Sequence, residues 1–385
     1  MPWILVVFVL LAYPVMRLPD AWPRKAIFAA LNVALSLYLC VRAGGWSLPV
    51  SVAAAAAYVI ASLCCLWLAR RSTPVAIVVP IGLLVVVKIG GWPFAIGASY
   101  AAFRASALAV EIESGRVPPP DALEFLAFLF FLPTFLVGPI SAYRYHRASL
   151  DAPDRAVTPF GRSLLRIVIG WAKYAYIAEL FHQLTFQSLW YDGYRHGAVD
   201  FAVSAACSYL YLYFNFSGFC DIAIGAAGLI GIKVQENFND PLLAENVPDF
   251  WRRWHITLTE FMRTVFFMPF SRLLMRMFSP AAADAAVGLA VMTTFLLIGL
   301  WHGLAWNYVI FGLLHGGAIV AHIVYTNVLN RRTSAEWRRG YDRSRARLLF
   351  SRAGTFAFVS ATFVFLENDI AHLSKAVNLF LRAGG

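Results

Sequence analysis

The chain has 385 residues, of which 60% are hydrophobic and 14% charged, with a mean hydropathy of +0.66; a soluble globular domain carries roughly 45–50% apolar and about 25% charged residues. Together with 31 Phe, 16 Tyr and 12 Trp, these values exclude a soluble enzyme, a disordered chain and a coiled coil. What remains is a helical integral membrane protein, because lipid offers backbone polar groups no partner. The net charge of +11 sits in short basic stretches between apolar runs, such as Arg17, Arg24 and Lys25, then Arg70 and Arg71. The densest stretch holds seven arginines between Arg331 and Arg347. This is the pattern of cytoplasmic loops, and anionic lipid headgroups are a sufficient partner for it without invoking nucleic acid.

Taken in chain order, ten apolar runs are long enough to approach a bilayer crossing, which needs about 20 residues. They are Pro2–Met16, Ala26–Val41, Leu48–Ala69, Val75–Ile89, Leu123–Ile140, Leu164–Leu189, Phe201–Ile232, Ala286–Trp301, Val309–Val328 and Leu348–Leu366. The first lacks a basic leader and a small-residue cleavage site, so it reads as a span with its N-terminus outside. With no repeat and no linker, the reading is one domain over 1–385, all-α and polytopic, with ten to eleven spans. Three stretches break the pattern. Gly90–Gly115 carries Gly90, Gly91, Pro93 and Gly97 before Arg104, Glu111 and Glu113. Gln235–Phe250 is an ordered polar loop. Phe250–Phe278 interleaves Arg252, Arg253, His255, Glu260 and Arg263 with aromatics, as an amphipathic or re-entrant segment does.

Polar side chains inside apolar runs are the candidate functional groups. Asn215 and Asp221 flank Gly218, which can break the long run that holds them. They serve either a polar path or helix–helix hydrogen bonds. His302 follows an uncharged run and can act as a general base, since imidazole titrates near neutral pH; a packing histidine fits the same context. His315 and His322, seven apart on one helix face, read as packing groups, and no acid or thiol accompanies them as metal ligands. His146, His182, His196 and His372 lie beside loops or span ends and carry little weight. Trp251, Arg252, Arg253 and Trp254 before His255 make a basic aromatic surface, suited to an acidic or phosphate-bearing ligand or to headgroup anchoring. The five cysteines (Cys40, Cys64, Cys65, Cys207, Cys220) lie within apolar runs with no metal or disulfide spacing.

The runs ENFNDPLL from Glu236 and DFWRRWHITL from Asp249, followed by WHGLAWN from Trp301, resemble the membrane-bound O-acyltransferase family. YFNFSGFCDIAIG from Tyr213 and FLPTFLVGPI from Phe131 look like its companion motifs, so the likeness covers roughly 97–316. The resemblance implies a helical ring around a central funnel, in a multi-pass protein of a bacterial cytoplasmic membrane. It also implies transfer of an acyl group from a cytoplasmic thioester to the hydroxyl of an envelope glycopolymer. His302 matches the family histidine that activates the hydroxyl, and His255 the second motif histidine near the donor. Asn239, Trp301, Trp306 and Asn307 belong to the same motifs and are expected to bind substrate alongside Trp251, Arg252, Arg253, Trp254, Asn215 and Asp221.

No bound cofactor or metal is implied. The donor is a phosphopantetheinyl acyl carrier protein or acetyl-CoA, and an extracytoplasmic partner acyltransferase is possible. Some stretches look most like D-alanyl-transferring members, others like members that O-acetylate polysaccharide, and D-alanyl transfer is the first expectation. The chain departs from the pattern at Ser141, Asn215, Thr264 and Val265. A transporter and a scaffold of an envelope-export complex are the non-enzymatic alternatives.

Overall fold

The computed structural model describes residues 2–19, 22–44, 48–90, 95–151, 159–189, 197–279 and 282–383, and every regular element among them is helical. The chain divides into two units: Met1–Trp171 with Gly218–Asn237, and Ala172–Ser217 with Phe238–Gly385. Among the described residues, five helices are long and apolar enough to cross a membrane: Trp22–Arg42, Ala198–Leu229, Ala283–His302, Trp306–Arg332 and Arg345–Glu367. Shorter apolar helices include Trp3–Val15, Ala56–Ala69 and Thr73–Ile89. Helices are what the composition demands, since only they satisfy every backbone group within one apolar segment.

In the first unit, α1 (Pro2–Val15), α2 (Trp22–Gly44), α3 (Leu48–Ala69), α4 (Thr73–Ile89), α5 (Ala95–Glu113), α6 (Ala122–Leu129), α7 (Tyr143–Asp151) and α8 (Phe160–Ala172) follow in order. α4 packs on α3 and α5, and α2 on α6, around a core that includes Leu108, Phe125, Phe128, Phe130, Phe135 and Tyr143. The stretch from Gly90 is more regular than its glycines imply: α5 is continuous from Ala95, whereas Gly91 and Pro93 lie outside the described residues.

The run Leu123–Ile140 does not form one span. Asp121 caps α6 by accepting from the Glu124 backbone N–H at 2.9 Å, and the helix stops at Leu129 before a single 3₁₀ turn at Leu132–Thr134. The buried Arg104 guanidinium meets the carbonyls freed by that break, donating to Phe128 and Leu129 at 3.2 Å and to Thr134 at 2.6 Å. Pro133 and Gly138, the latter at φ +125°, keep the chain from resuming a helix.

α11 (Ala198–Leu229) runs unbroken through Gly218; at about 1.5 Å per residue it is about 48 Å long, well beyond the hydrocarbon thickness of about 30 Å. Its C-terminal part crosses α8 closely within the first unit. A Cβ on Gly170 would meet the Gly218 carbonyl at 2.7 Å, and one on Gly225 the Ser163 carbonyl at 2.7 Å, so small residues permit the approach. Arg166 on α8 reinforces it, pairing with Asp221 at 2.9 Å and with both oxygens of Glu236 at 2.6 and 2.5 Å.

The second unit begins where a further single span was expected, over Leu164–Leu189. That run is instead divided among α8, a π turn at Lys173–Ile177, α9 (Ala178–His182) and α10 (Phe186–Leu189). After α11 and a polar loop come α12 (Val247–Arg253), α13 (Ile256–Phe261), a π turn at Met262–Phe267 and α14 (Met268–Met277). α15 (Ala283–His302), α16 (Trp306–Arg332), α17 (Ala335–Arg343), α18 (Arg345–Glu367) and α19 (Ile370–Ala383) complete it. α15 and α16 form a tight hairpin, with α18 against α16. Asp284 at the start of α15 lies 3.9 Å from Arg331 at the end of α16, and Glu245 pairs with Arg347 at 3.2 Å. The arginine-rich ends therefore gather at one face of this unit. His302 lies at the opposite end of α15, about 30 Å away along a 20-residue helix.

Candidate active site

The loop of amides and acids before α12 ends in a capped helix. Asn246 accepts from the Asp249 backbone N–H at 2.8 Å, and Pro248 sits in the first turn. Asp249 in turn accepts from the Glu245 N–H at 3.2 Å, Arg252 at 3.2 Å and Arg253 at 3.0 Å. Burial pushes its carboxyl up, but these donors outweigh it and hold the pKa below the ordinary value. The Asn239 N–H donates to the Arg253 carbonyl at 3.0 Å, and the Arg253 guanidinium to the Asn239 carbonyl at 3.3 Å. Arg252 is left 69% exposed. Asn239 and the two arginines thus form one surface at the end of α12.

The tryptophans of the same motif turn the other way. Trp251 is buried, donates from Nε1 to His315 Nδ1 at 3.1 Å, and packs edge-on against Phe295. His315 Nε2 lies 2.9 Å from the Thr362 hydroxyl, which donates to the Phe358 carbonyl at 2.9 Å. With Nδ1 accepting from Trp251, Nε2 carries the proton. His315 thereby ties α12, α16 and α18 together, a packing role in line with its sequence context. Trp254 stacks on Phe250 with centroids 5.5 Å apart and meets Phe238 and Phe363 edge-on at 5.1 Å. This aromatic core holds α12 rigidly.

His255 sits between α12 and α13 with φ +44° and ψ +52°, one of two non-glycine residues with positive φ among those described. A left-handed histidine costs about 1–3 kcal/mol and persists only where the surroundings enforce it. Its ring is buried, edge-on to Phe216 at 4.8 Å and to Trp301 at 6.3 Å. Burial, with a smaller contribution from the neighbouring His302, lowers its pKa to about 3, so the ring is neutral at physiological pH.

His302 ends α15 and is exposed. Its ring lies 4.6 Å from Trp301 and is parallel to Tyr308 within 19° at 6.1 Å, with Phe311 edge-on at 6.0 Å. Gly303 is needed beside it because a Cβ there would strike the Tyr308 ring. Gly299 and Gly312 likewise let α15 and α16 touch backbone to backbone. Trp301, half-buried, is thus bracketed by the two histidines.

The remaining candidates are scattered. Asn307 is buried and donates to the Phe365 carbonyl at 2.8 Å, joining α16 to α18. Trp306 is 73% exposed at the start of α16, and Asn215 is half-buried on α11. Asp221 belongs to the first unit, in the Arg166 network. Among the described residues no three His, Cys, Asp or Glu side chains gather as metal ligands. His196 lies outside the described residues. His146, which its position beside a loop made unremarkable, is buried in a cage of Phe28, Phe128, Phe131 and Tyr143. No spacing within the sequence signalled that cage, because its walls come from three separate segments.

The chain is 28% identical over 231 residues to "Teichoic acid D-alanyltransferase" of Streptococcus thermophilus, covering 58% of this chain and 56% of the relative. It is 31% identical over 213 residues to "Peptidoglycan O-acetyltransferase" of Helicobacter pylori, covering 54% and 39%. It is also 28% identical over 222 residues to "Probable alginate O-acetylase AlgI" of Azotobacter vinelandii, covering 57% and 43%. The chain spans about half the length of these curated relatives. The profile of MBOAT, the membrane-bound O-acyltransferase family, matches residues 56–351, which include both histidine motifs. On that match over most of its length, this integral membrane chain belongs to the membrane-bound O-acyltransferase family.

Proposed function

We propose that this chain is an O-acyltransferase that moves an acyl group from a cytoplasmic thioester to a hydroxyl of a cell-envelope glycopolymer, with His302 as base. The observation that carries the reading is the pair of motif histidines on either side of Trp301, one open and one buried. The open imidazole of His302 takes the proton of the acceptor hydroxyl as its oxygen attacks the thioester carbonyl. The carbon–sulfur bond then breaks, and the imidazolium returns the proton to the departing thiolate. General-base assistance of this kind contributes about 10²–10⁴-fold. His255, held neutral, orients Trp301 and the acyl group without adding charge to an apolar site.

The basic end of the second unit, where Arg252 and Arg253 stand with Asn239, is assigned to the cytoplasm by its arginines and receives the phosphate-bearing donor. His302, linked to Trp251 of α12 through Phe311 by ring contacts of 6.3 and 6.0 Å, faces the acceptor, in a multi-pass protein of the cytoplasmic membrane. Trp306 and Asn215 are assigned to acceptor contact. Trp251, Trp254 and Asn307 serve by positioning, and Asp221 by holding the first unit's helices. Within one transferase domain over the whole chain, D-alanyl transfer from a phosphopantetheinyl carrier protein is the first reading, supported by the teichoic acid D-alanyltransferase relatives. O-acetylation from acetyl-CoA is the second, supported by the peptidoglycan and alginate relatives. An extracytoplasmic partner that completes the transfer fits either.

The test compares cells carrying wild type or His302→Ala at equal membrane level, with alkali-labile groups released from envelope polymers and identified by mass spectrometry. Loss of ester-linked D-alanine supports the first reading, and loss of acetate the second. No ester difference, with the wild type active, rules out catalysis by His302.

A further inference from the structure

Away from the histidines, the first unit carries an apolar cavity among α3, α4 and α5. Among the described residues its volume is about 240 Å³. Alanines make most of its wall: Ala57 and Ala61 from α3, and Ala98, Ala101, Ala102 and Ala105 from α5. Leu84 from α4 and Leu129 from the end of α6 complete it. Ala101 is 3% exposed and Leu129 2%, so these belong to a closed floor. Ala57 and Leu83 are exposed and mark the mouth. Protein interiors are packed to near-crystalline density, with few voids larger than a water molecule. This space exists because alanine stands at six positions where a longer apolar side chain would fill it.

The chemistry of the wall excludes water as the occupant. A buried water needs two to four polar partners. Among the described residues, the polar side chains on this wall are Tyr58, Ser62 and Cys65, and the Ser62 hydroxyl already donates to the Tyr58 carbonyl at 2.7 Å. Three such groups do not support the many waters this volume would hold. Size points to a chain: an apolar cavity of about 150 Å³ takes up one benzene ring, so this one has room, by proportion, for roughly ten carbons. Location supplies the source. Ile60 on α3 and Val85 and Val86 on α4, which flank the mouth along their helices, are all exposed and apolar. In an integral membrane protein this is lipid-facing surface, and the cavity is continuous with it. No charged residue is among the lining residues described, so a headgroup has no place inside.

We propose that this cavity holds one acyl chain of a membrane phospholipid. The chain enters between α3 and α4, and its headgroup stays at the membrane surface. It takes the place of the side chains that the six alanines lack and joins α3 to α5. The site is independent of the acyl-transfer reading.

The test uses the full-length protein in phosphatidylethanolamine–phosphatidylglycerol vesicles containing a phospholipid with a diazirine midway along one acyl chain. After illumination, labelled positions are mapped by peptide mass spectrometry. Label is expected on residues 98–105, which the protein shields from bulk lipid, as well as on the exposed face of α4. Ala101→Leu fills the floor and Ala61→Phe narrows the mouth. Each should lower the ratio of α5 label to α4 label at least fivefold, whereas Ala56→Leu, exposed and outside the cavity, should not. Variants on two helices cover the case in which one does not fold. Wild type without label at 98–105, or a folded Ala101→Leu or Ala61→Phe protein with an unchanged ratio, overturns the proposal. A diazirine fatty acid that labels 98–105 and resists competition by excess phospholipid overturns the phospholipid assignment. Cross-links between two copies of the chain at 98–105, in place of lipid label, overturn it in favour of a second copy.

Discussion

His255 combines two properties that local sequence rarely yields together: a left-handed backbone and a fully buried ring. Asparagine tolerates that backbone best among non-glycine residues, so His255→Asn removes the ring without adding strain. We expect this variant to insert normally and to lose at least tenfold in acyl transfer, measured as ester-linked groups per cell. Its burial also predicts a pH dependence. The folded pKa is about 3 against about 6.5 for an unfolded histidine. Between those values the unfolded chain binds a proton that the folded chain does not, so stability falls as pH drops from 6.5 toward 3, by at most about 1.4 kcal/mol per pH unit. His146, likewise lowered to about 3 by burial, acts in the same window and direction. Thermal unfolding at pH 7 and pH 5 checks this: wild type loses stability at the lower pH, and His255→Asn loses less.

The α15–α16 hairpin is where an element, not a residue, sets the geometry. Gly299, Gly303 and Gly312 stand where any Cβ would strike the opposing helix or the Tyr308 ring, and that ring lies parallel to His302. Gly303→Ala should therefore cost about 1–3 kcal/mol by overpacking and displace His302, lowering both Tm and activity. Gly317, on the same hairpin with open space around it, provides the contrast. Gly317→Ala should hold or gain stability, since alanine favours a helix over glycine by about 1 kcal/mol. Circular dichroism melts of the two variants separate these outcomes. α12 depends on its own long-range tie: Trp251→Phe keeps the ring packing but removes the N–H that His315 accepts. A loss of about 1 kcal/mol is expected, with a fall in transfer because α12 leads into His255.

Across the whole molecule, the division of the chain into two units sorts its polar residues by role. Both motif histidines, Trp301 and the Arg252–Arg253 surface belong to the second. In the first, Arg166 joins α8, α11 and the chain after it through Asp221 and Glu236. Arg166→Met removes the cation beside a mostly buried Asp221 carboxylate, 14% exposed. The expected cost is about 1–3 kcal/mol, read as a lower Tm that Asp221→Asn in the same chain partly restores. A substrate-binding role for Asp221 would instead lower activity without that rescue.

Helical class, membrane environment, the basic stretches, the polar loop before α12 and both histidine motifs follow from the sequence by itself. Each rests on composition or on residues adjacent in the chain. Only the tertiary structure decides which way those residues point. Trp251 and Arg252 are neighbours, yet one is buried against a histidine 64 positions away and the other is largely exposed. Gly218 leaves its helix intact, whereas the apolar run after Leu123 breaks, because the buried Arg104 is there to take the freed carbonyls. His146 is caged and His302 is open, although both looked like histidines near helix ends. Burial and hydrogen-bond satisfaction depend on partners distant in sequence, and no local pattern encodes those partners.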